Sequence, residues 1–451
     1  MIKSITLTLR NFFSQGHERT IKAKKNIAAS LVIKGASIVV SFMMVPLTID
    51  YVNPTQYGIW LTLSSVIVWF NFFDIGLGNG LRNKLAEALA KDDIVNARKY
   101  ISTAYAFLGG ISVLIILAYL IVKPFINWAT FLNAPVSLSH ELNTLALFIV
   151  ILFSVQFVLQ LINIVFSALQ NTARVSLMFL VGNIISFLIV LVLKYTTQGS
   201  LLYLGLSLFI GSLASLLGFS VWFFNFVRKD LKPSFVLIKP EYAKGLLNLG
   251  SQFFIIQISA IVQYETTNII ISRCFSPLEV TQYSIPYKLF SALYMIFNLL
   301  IAPLWSSVTE AYFKKDFDWI IKTQQKLVSF WRYMVLSALG LLLCCNFIYR
   351  IWLHNQVLIP FSTSLGIMLY VLCLSYGSIY VTILNGIGAL KLQFRLSIIT
   401  MILFIPLTYL LAVTLHMGII GISFSLIICN INGIIAAPYQ YKKLIYQYKT
   451  I

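Results

Sequence analysis

The chain has 451 residues, of which 59% are hydrophobic and 10% charged, with a formal net charge of +19. A water-soluble domain is about a quarter charged, so this composition excludes a chain that covers itself with an aqueous surface and places it in lipid. The 33 Lys and Arg sit in short segments between apolar runs, which is the topology signal of membrane loops and excludes a nucleic-acid-binding face.

Residues 1–25 are polar and basic. The apolar run that begins near Ala28 is too long for the core of a cleaved signal and reads as the first permanent span. At about 20 apolar residues per crossing, twelve transmembrane helices are predicted, at roughly 27–49, 57–79, 99–122, 142–169, 175–194, 201–226, 247–271, 282–308, 327–350, 360–387, 396–415 and 418–438. They divide into an N-terminal six-helix lobe (26–227), a cytoplasmic linker (228–245), a C-terminal six-helix lobe (246–438) and a cytoplasmic tail (439–451). With the N-terminus inside, the cytoplasmic segments hold 26 of the 33 basic residues, so both termini are expected in the cytoplasm.

Several polar residues fall where lipid makes them costly. Lys34 stands about seven residues into the first span, ~10 Å deep at 1.5 Å per residue; it either snorkels to the cytoplasmic headgroups or lines a cavity. Lys288 enters the eighth span from the outer side, a face this chain otherwise keeps poor in lysine, which favours a cavity. Glu265 in the seventh span follows Gln263 and precedes Thr266, Thr267 and Asn268. Such a carboxyl either pins helices through a salt bridge or couples transport to an ion.

In the second span, Asp74 is a second ion-coupling candidate, followed by Gly76, Gly78 and Gly80 as hinge candidates. The glycines either kink the span or let a helix restart near Asn79, with its free N–H groups and Arg82 facing a phosphate. The five cysteines form no C-x-x-C pair and the four histidines are scattered, so neither a metal, a cofactor nor a structural disulfide is expected.

The chain also resembles itself. Thr55-Gln56-Tyr57 matches Thr281-Gln282-Tyr283, and Glu87-Ala88-x-x-Lys91-Asp92 matches Glu310-Ala311-x-x-Lys314-Lys315-Asp316, at offsets of 226 and 223. Six spans separate the copies, which predicts a parallel repeat with the substrate site between the halves.

The stretch Tyr57-Gly58-Ile59-Trp60 through Phe73-Asp74-Ile75-Gly76-Leu77-Gly78-Asn79-Gly80-Leu81-Arg82 resembles the Wzx-type polysaccharide flippases. So do Pro303-Leu304-Trp305 with Glu310-Ala311-Tyr312, and Leu384-Asn385-Gly386-Ile387-Gly388. These flippases belong to the multidrug/oligosaccharidyl-lipid/polysaccharide exporter superfamily, and the likeness runs from about residue 26 to 440.

The resemblance implies an all-α integral membrane protein of V-shaped exporter fold in the bacterial inner membrane. It implies a carrier, not an enzyme, that moves undecaprenyl-pyrophosphate-linked oligosaccharide to the periplasmic leaflet by alternating access, with a proton or sodium ion as driver and a glycan polymerase as partner. Lys34 and Lys288 match its cationic cavity positions by helix and depth, with Arg82 near the inner mouth. Two other readings remain open: a drug or metabolite exporter of the same fold, whose cavity would be acidic, and a membrane glycan polymerase or ligase, which needs a larger outer loop than 123–141.

Overall fold

The computed structural model describes residues 18–69, 77–169, 171–242, 251–301 and 304–449, and all its regular structure there is helical. In chain order the helices are α1 (Glu18–Val52), α2 (Pro54–Val68), α3 (Leu77–Ala90), α4 (Ile94–Val122), α5 (Ser139–Leu159), α6 (Leu161–Ala168), α7 (Thr172–Thr196) and α8 (Leu201–Trp222). There follow α9 (Ser251–Cys274), α10 (Pro277–Ile301), α11 (Leu304–Phe313), α12 (Phe317–Leu353), α13 (Phe361–Ile387), α14 (Lys391–Tyr409), α15 (Gly418–Cys429) and α16 (Ala437–Lys449). Each of the twelve expected spans overlaps at least one of them.

Among the described residues, nine helical segments are long and apolar enough to cross a membrane, and a tenth is made by Gly418–Cys429 with Asn432–Ile445, bent by 43°. The expected spans outside that set fall on α2, 15 residues in its described part, and on α9, which carries Gln263, Glu265, Thr266, Thr267 and Asn268. Polar residues lower the apolarity of α9, and a helix of this kind needs shelter from lipid.

The chain divides into two compact units. The first holds Met1–Tyr51, Asn71–Trp128 and Ser137–Ser251; the second holds Val52–Phe70, Ala129–Val136 and Gln252–Ile451. Two pieces of the N-terminal half therefore cluster with the C-terminal half, and their contacts give the reason. A Cβ on Gly58 of α2 would sit 1.7 Å from the Pro277 carbonyl oxygen, and Thr281 Oγ1 donates to the Pro54 carbonyl at 2.7 Å. Gly58 lets α2 lie against the start of α10. The segment 129–136 is held by Asn133 Nδ2 donating to Ser272 O (3.0 Å) and Ser272 Oγ donating to Leu132 O (2.7 Å).

In the first unit α8 packs against α5 and α7, α4 against α5, and α3 against α4 and α6. The α7–α8 contact depends on small residues. A Cβ on Gly211 would meet Ser186 Oγ at 2.2 Å, and Ser215 Oγ donates to Met178 O at 2.7 Å. Close backbone approach and interhelical hydrogen bonds replace the hydrophobic drive that lipid cancels.

The expected linker is a strap on this same unit as far as Tyr242. Arg98 Nε donates to Lys232 O (2.6 Å), the Ser234 amide to Ser102 Oγ (3.0 Å), the Lys239 amide to Thr103 Oγ1 (3.0 Å) and Tyr242 OH to Asn96 Oδ1 (2.7 Å). In the second unit α13 is the hub, packing against α10, α11, α12 and α15, with its Gly377 against Gly433.

The repeat is written in the helix caps. Asp93 caps α4 by accepting from the Asn96 amide at 3.0 Å, and Asp316 caps α12 by accepting from the Trp319 amide at 3.1 Å. The residue before each is left-handed, Asp92 at φ 55° and Lys315 at φ 59°. The Asp93 amide bonds Ala88 O and the Asp316 amide bonds Ala311 O, both at 2.9 Å. Asn53 accepts from the Gln56 amide (3.0 Å) as Ser276 Oγ does from the Glu279 amide (3.3 Å). Both cap pairs are 223 residues apart. The Thr-Gln-Tyr match, at 226, is therefore three residues out of register. Short polar caps that satisfy the free N–H groups of a helix start mark the repeat better than that tripeptide.

Candidate functional site

The polar helix α9 finds partners on two sides within the second unit. Towards α14, Ser259 Oγ donates to Ser397 O (2.7 Å) and Gln263 Nε2 donates to Thr400 Oγ1 (3.1 Å). Towards α2, Asn268 Nδ2 donates to Ser65 Oγ (2.8 Å), and the half-buried Glu265 carboxyl lies beside the same Ser65 hydroxyl. Glu265 and Asn268 are three residues apart, so both face Ser65 from one side of the helix.

Between Gln263 and Glu265 in sequence stands Tyr264, which turns to α10. Its ring packs against Tyr287 with centroids 5.0 Å apart, and Tyr287 stacks on Tyr283 at 6.1 Å with 20° between planes. Tyr283 and Tyr287 meet because residues four apart share a helix face. Tyr294 of α10 and Tyr370 of α13 lie close enough to these phenols to interact electrostatically. Tyr283 and Tyr370 are buried, whereas Tyr264 is 39% exposed.

Lys288 follows Tyr287 on α10 and is half-buried. Pro286, two residues earlier, removes the backbone hydrogen bond to the Gln282 carbonyl and loosens the helix at this point. None of the ion pairs among the described residues involves Lys288 or Glu265. The second unit thus holds five phenols with one carboxyl, Glu265, beside them, and on the same helix as Tyr287 an ammonium group without a carboxylate partner. Phenol faces and hydroxyls suit sugar rings, and an ammonium suits a phosphate as a point charge.

The other expected site residues are placed as follows. Lys34 and Arg82 are both exposed and belong to the first unit, so no single unit gathers the three cations. Gly78 and Gly80 are buried within the first turn of the described α3, and that helix already includes Leu77, ahead of Asn79. Asp74 and Gly76 lie outside the described residues. Among the described residues, no group of three or more His, Cys, Asp or Glu side chains is placed to hold a metal ion.

The tyrosines were not singled out from the sequence. The spacing of Tyr283 and Tyr287 beside Lys288 was the available signal. Against 14% aromatic residues, most of them interfacial or facing lipid, that spacing did not stand out.

Comparison with known proteins gives a consistent answer. The sequence profile of a family described as polysaccharide biosynthesis protein matches residues 23–307. A proposed O-antigen transporter of Salmonella typhimurium is 22% identical over 325 residues, 67% of each chain. A proposed O-antigen export protein of Yersinia pseudotuberculosis is 22% identical over 382 residues, 79% of this chain and 81% of that one.

Among solved structures, the inward-facing form of a multidrug resistance MATE family transporter of the MOP superfamily superposes with a TM-score of 0.76. The match covers 94% of this chain and 99% of the other at 13% identity. A MOP superfamily transporter from Pyrococcus furiosus superposes at 0.65, with 14% identity, 95% of this chain and 97% of the other. By its sequence the chain belongs to the polysaccharide biosynthesis protein family, and its helices follow the fold of the MOP superfamily transporters.

Proposed function

We propose that the protein is a flippase that carries pyrophosphate-linked oligosaccharide on a polyprenyl lipid from the cytoplasmic to the periplasmic leaflet of the bacterial inner membrane, by alternating access. The observation that carries this reading is Lys288, a half-buried cation in a membrane-spanning helix with no ion-pair partner among the described residues, on the same helix as the phenols Tyr283 and Tyr287. An anion in a low-dielectric slab is stabilised by a fixed cation. The phenols provide stacking faces and hydroxyls for the sugar, and the polyprenyl tail stays in lipid. The O-antigen roles given to the two relatives support the same cargo class.

Lys34 and Arg82 would meet the diphosphate elsewhere on its path. Glu265, held beside Ser65 and one turn from Asn268, is the candidate for coupling to a proton or sodium gradient; Asp74 is its alternative. Both termini lie in the cytoplasm in this reading, and a glycan polymerase receives the product.

The test is transfer in liposomes loaded with a polyprenyl-diphosphate oligosaccharide, read by sugar becoming accessible to an added glycosidase. Wild type is expected to accelerate the transfer, with Glu265→Gln removing its response to an imposed pH or sodium gradient. Transfer no faster than in protein-free liposomes would end the reading. Glu265 gives the second reading, an exporter of organic cations. Uptake of a cationic dye that is lost in Glu265→Gln and kept in Lys288→Ala would favour that exporter.

A further inference from the structure

In the first unit, helices α5 to α8 enclose a pocket of about 70 Å³ whose walls include Gln156, Gln160, Asn163, Asn183, Ser186 and Ser212. Among the described residues that line it there is no Lys, Arg, Asp or Glu. Asn183 stands about eleven residues into α7, ~16 Å along its axis, so the pocket lies deep in the span. Amides there are costly unless they pair with each other, with water or with a guest, and a mouth opening onto lipid would leave them unpaired. Ser186 is satisfied, donating to Leu208 O at 3.2 Å. The Asn163 side-chain carbonyl oxygen is buried and has no hydrogen-bond partner. An acceptor in that state is matched by a donor on whatever enters.

We propose that this pocket receives the acetamido substituent of an amino sugar in the cargo. The inference rests on a lipid-linked sugar being that cargo and adds which group of the sugar is read. An uncharged lining fits an uncharged guest and does not suit the diphosphate. Size points the same way. An apolar cavity of about 150 Å³ holds benzene, six heavy atoms, so about half that volume suits about three, the carbonyl carbon, oxygen and methyl of an acetamido group, with its nitrogen at the mouth. Its N–H meets the Asn163 carbonyl once that side chain turns its buried oxygen to the guest, its C=O meets a carboxamide N–H, and its methyl rests on Met178 and Leu216, which also line the pocket. A hydroxyl in the same place leaves most of the amides unpaired.

Saturation-transfer NMR on the purified full chain in lipid nanodiscs tests this, with methyl 2-acetamido-2-deoxyglucoside and methyl glucoside as probes. The acetamido methyl protons are expected to receive the strongest signal, with about tenfold weaker binding of the glucoside, the worth of roughly one neutral hydrogen bond. Asn163→Leu should lower the acetamido sugar to the glucoside level. Asn183→Leu serves as the second variant, and the melting temperature of each variant confirms folding. Equal signals from the two probes, or discrimination unchanged in both folded variants, would overturn the proposal. So would a signal that follows sodium concentration and not sugar, which would make the pocket an ion site. The probes carry no diphosphate, so acetamido recognition in a protein that fails to move the lipid-linked cargo would sink the flippase reading alone.

Discussion

In the first unit Asp93 caps α4 after a left-handed Asp92; across the repeat, Asp316 caps α12 after a left-handed Lys315, with matching backbone bonds. The polar groups inside the spans do not match in this way. The first unit holds a charge-free pocket of carboxamides and hydroxyls, whereas the second holds Lys288, Glu265 and a phenol cluster. Turn geometry is dictated by backbone N–H groups that every helix start must satisfy, so both copies keep it. The polar interior is free to diverge, because each buried polar group is tolerated only for what it binds. The two units therefore share architecture and differ in chemistry.

The largest expected effect breaks that chemistry in the second unit. Lys288→Ala is expected to reduce surface glycan roughly 10- to 100-fold, the worth of one charge-assisted contact, and a further Lys34→Ala to abolish it. Glycan assembly intact in the double variant, at normal protein levels, would remove the cationic route.

Packing comes next. Gly58→Ala places a Cβ 1.7 Å from a backbone carbonyl and is expected to cost about 1–3 kcal/mol or more, read as a lowered melting temperature. Gly109→Ala and Gly110→Ala in α4, where nothing lies within 4 Å of the added Cβ, are expected to leave it unchanged or raised. Equal losses at Gly58 and Gly109 would contradict the close approach of α2 to α10.

The caps sharpen the shared side of the comparison. Asp93→Ala and Asp316→Ala should each cost about 1 kcal/mol, and a clear inequality in melting temperature would show that the two turns are not equivalent. The smallest effect is expected at Glu87, where Lys91 and then Lys84 hold the carboxyl down at about 2. A depressed carboxyl contributes stability that is lost only as pH falls through its folded value. This one is exposed to solvent, so Glu87→Gln should leave the melting temperature at pH 7 unchanged.

Much of the fold was legible because a span in lipid is a long apolar run, and all twelve runs met helices. The division into units was less legible. Nothing in the apolar pattern of 57–79 says that Gly58 fits under Pro277, and that contact draws α2 to the second unit. The charged residues Lys288 and Glu265 could be found because a charge in a span is rare.

Tyrosines and carboxamides are tolerated in many places, so their type alone carries little information. Gln156, Gln160 and Asn163, at helical spacing across the α5–α6 break, were a readable stripe. Their convergence with Asn183 and Ser212 on the neighbouring helices needed the structure.

The central claim is that Lys288 recognises the diphosphate, and binding tests it most directly. Native mass spectrometry of the purified chain with a sugar-free polyprenyl diphosphate should show a complex in wild type and in Lys288→Arg, and its loss in Lys288→Ala. The account is contradicted if the folded Lys288→Ala variant binds that lipid as well as wild type does.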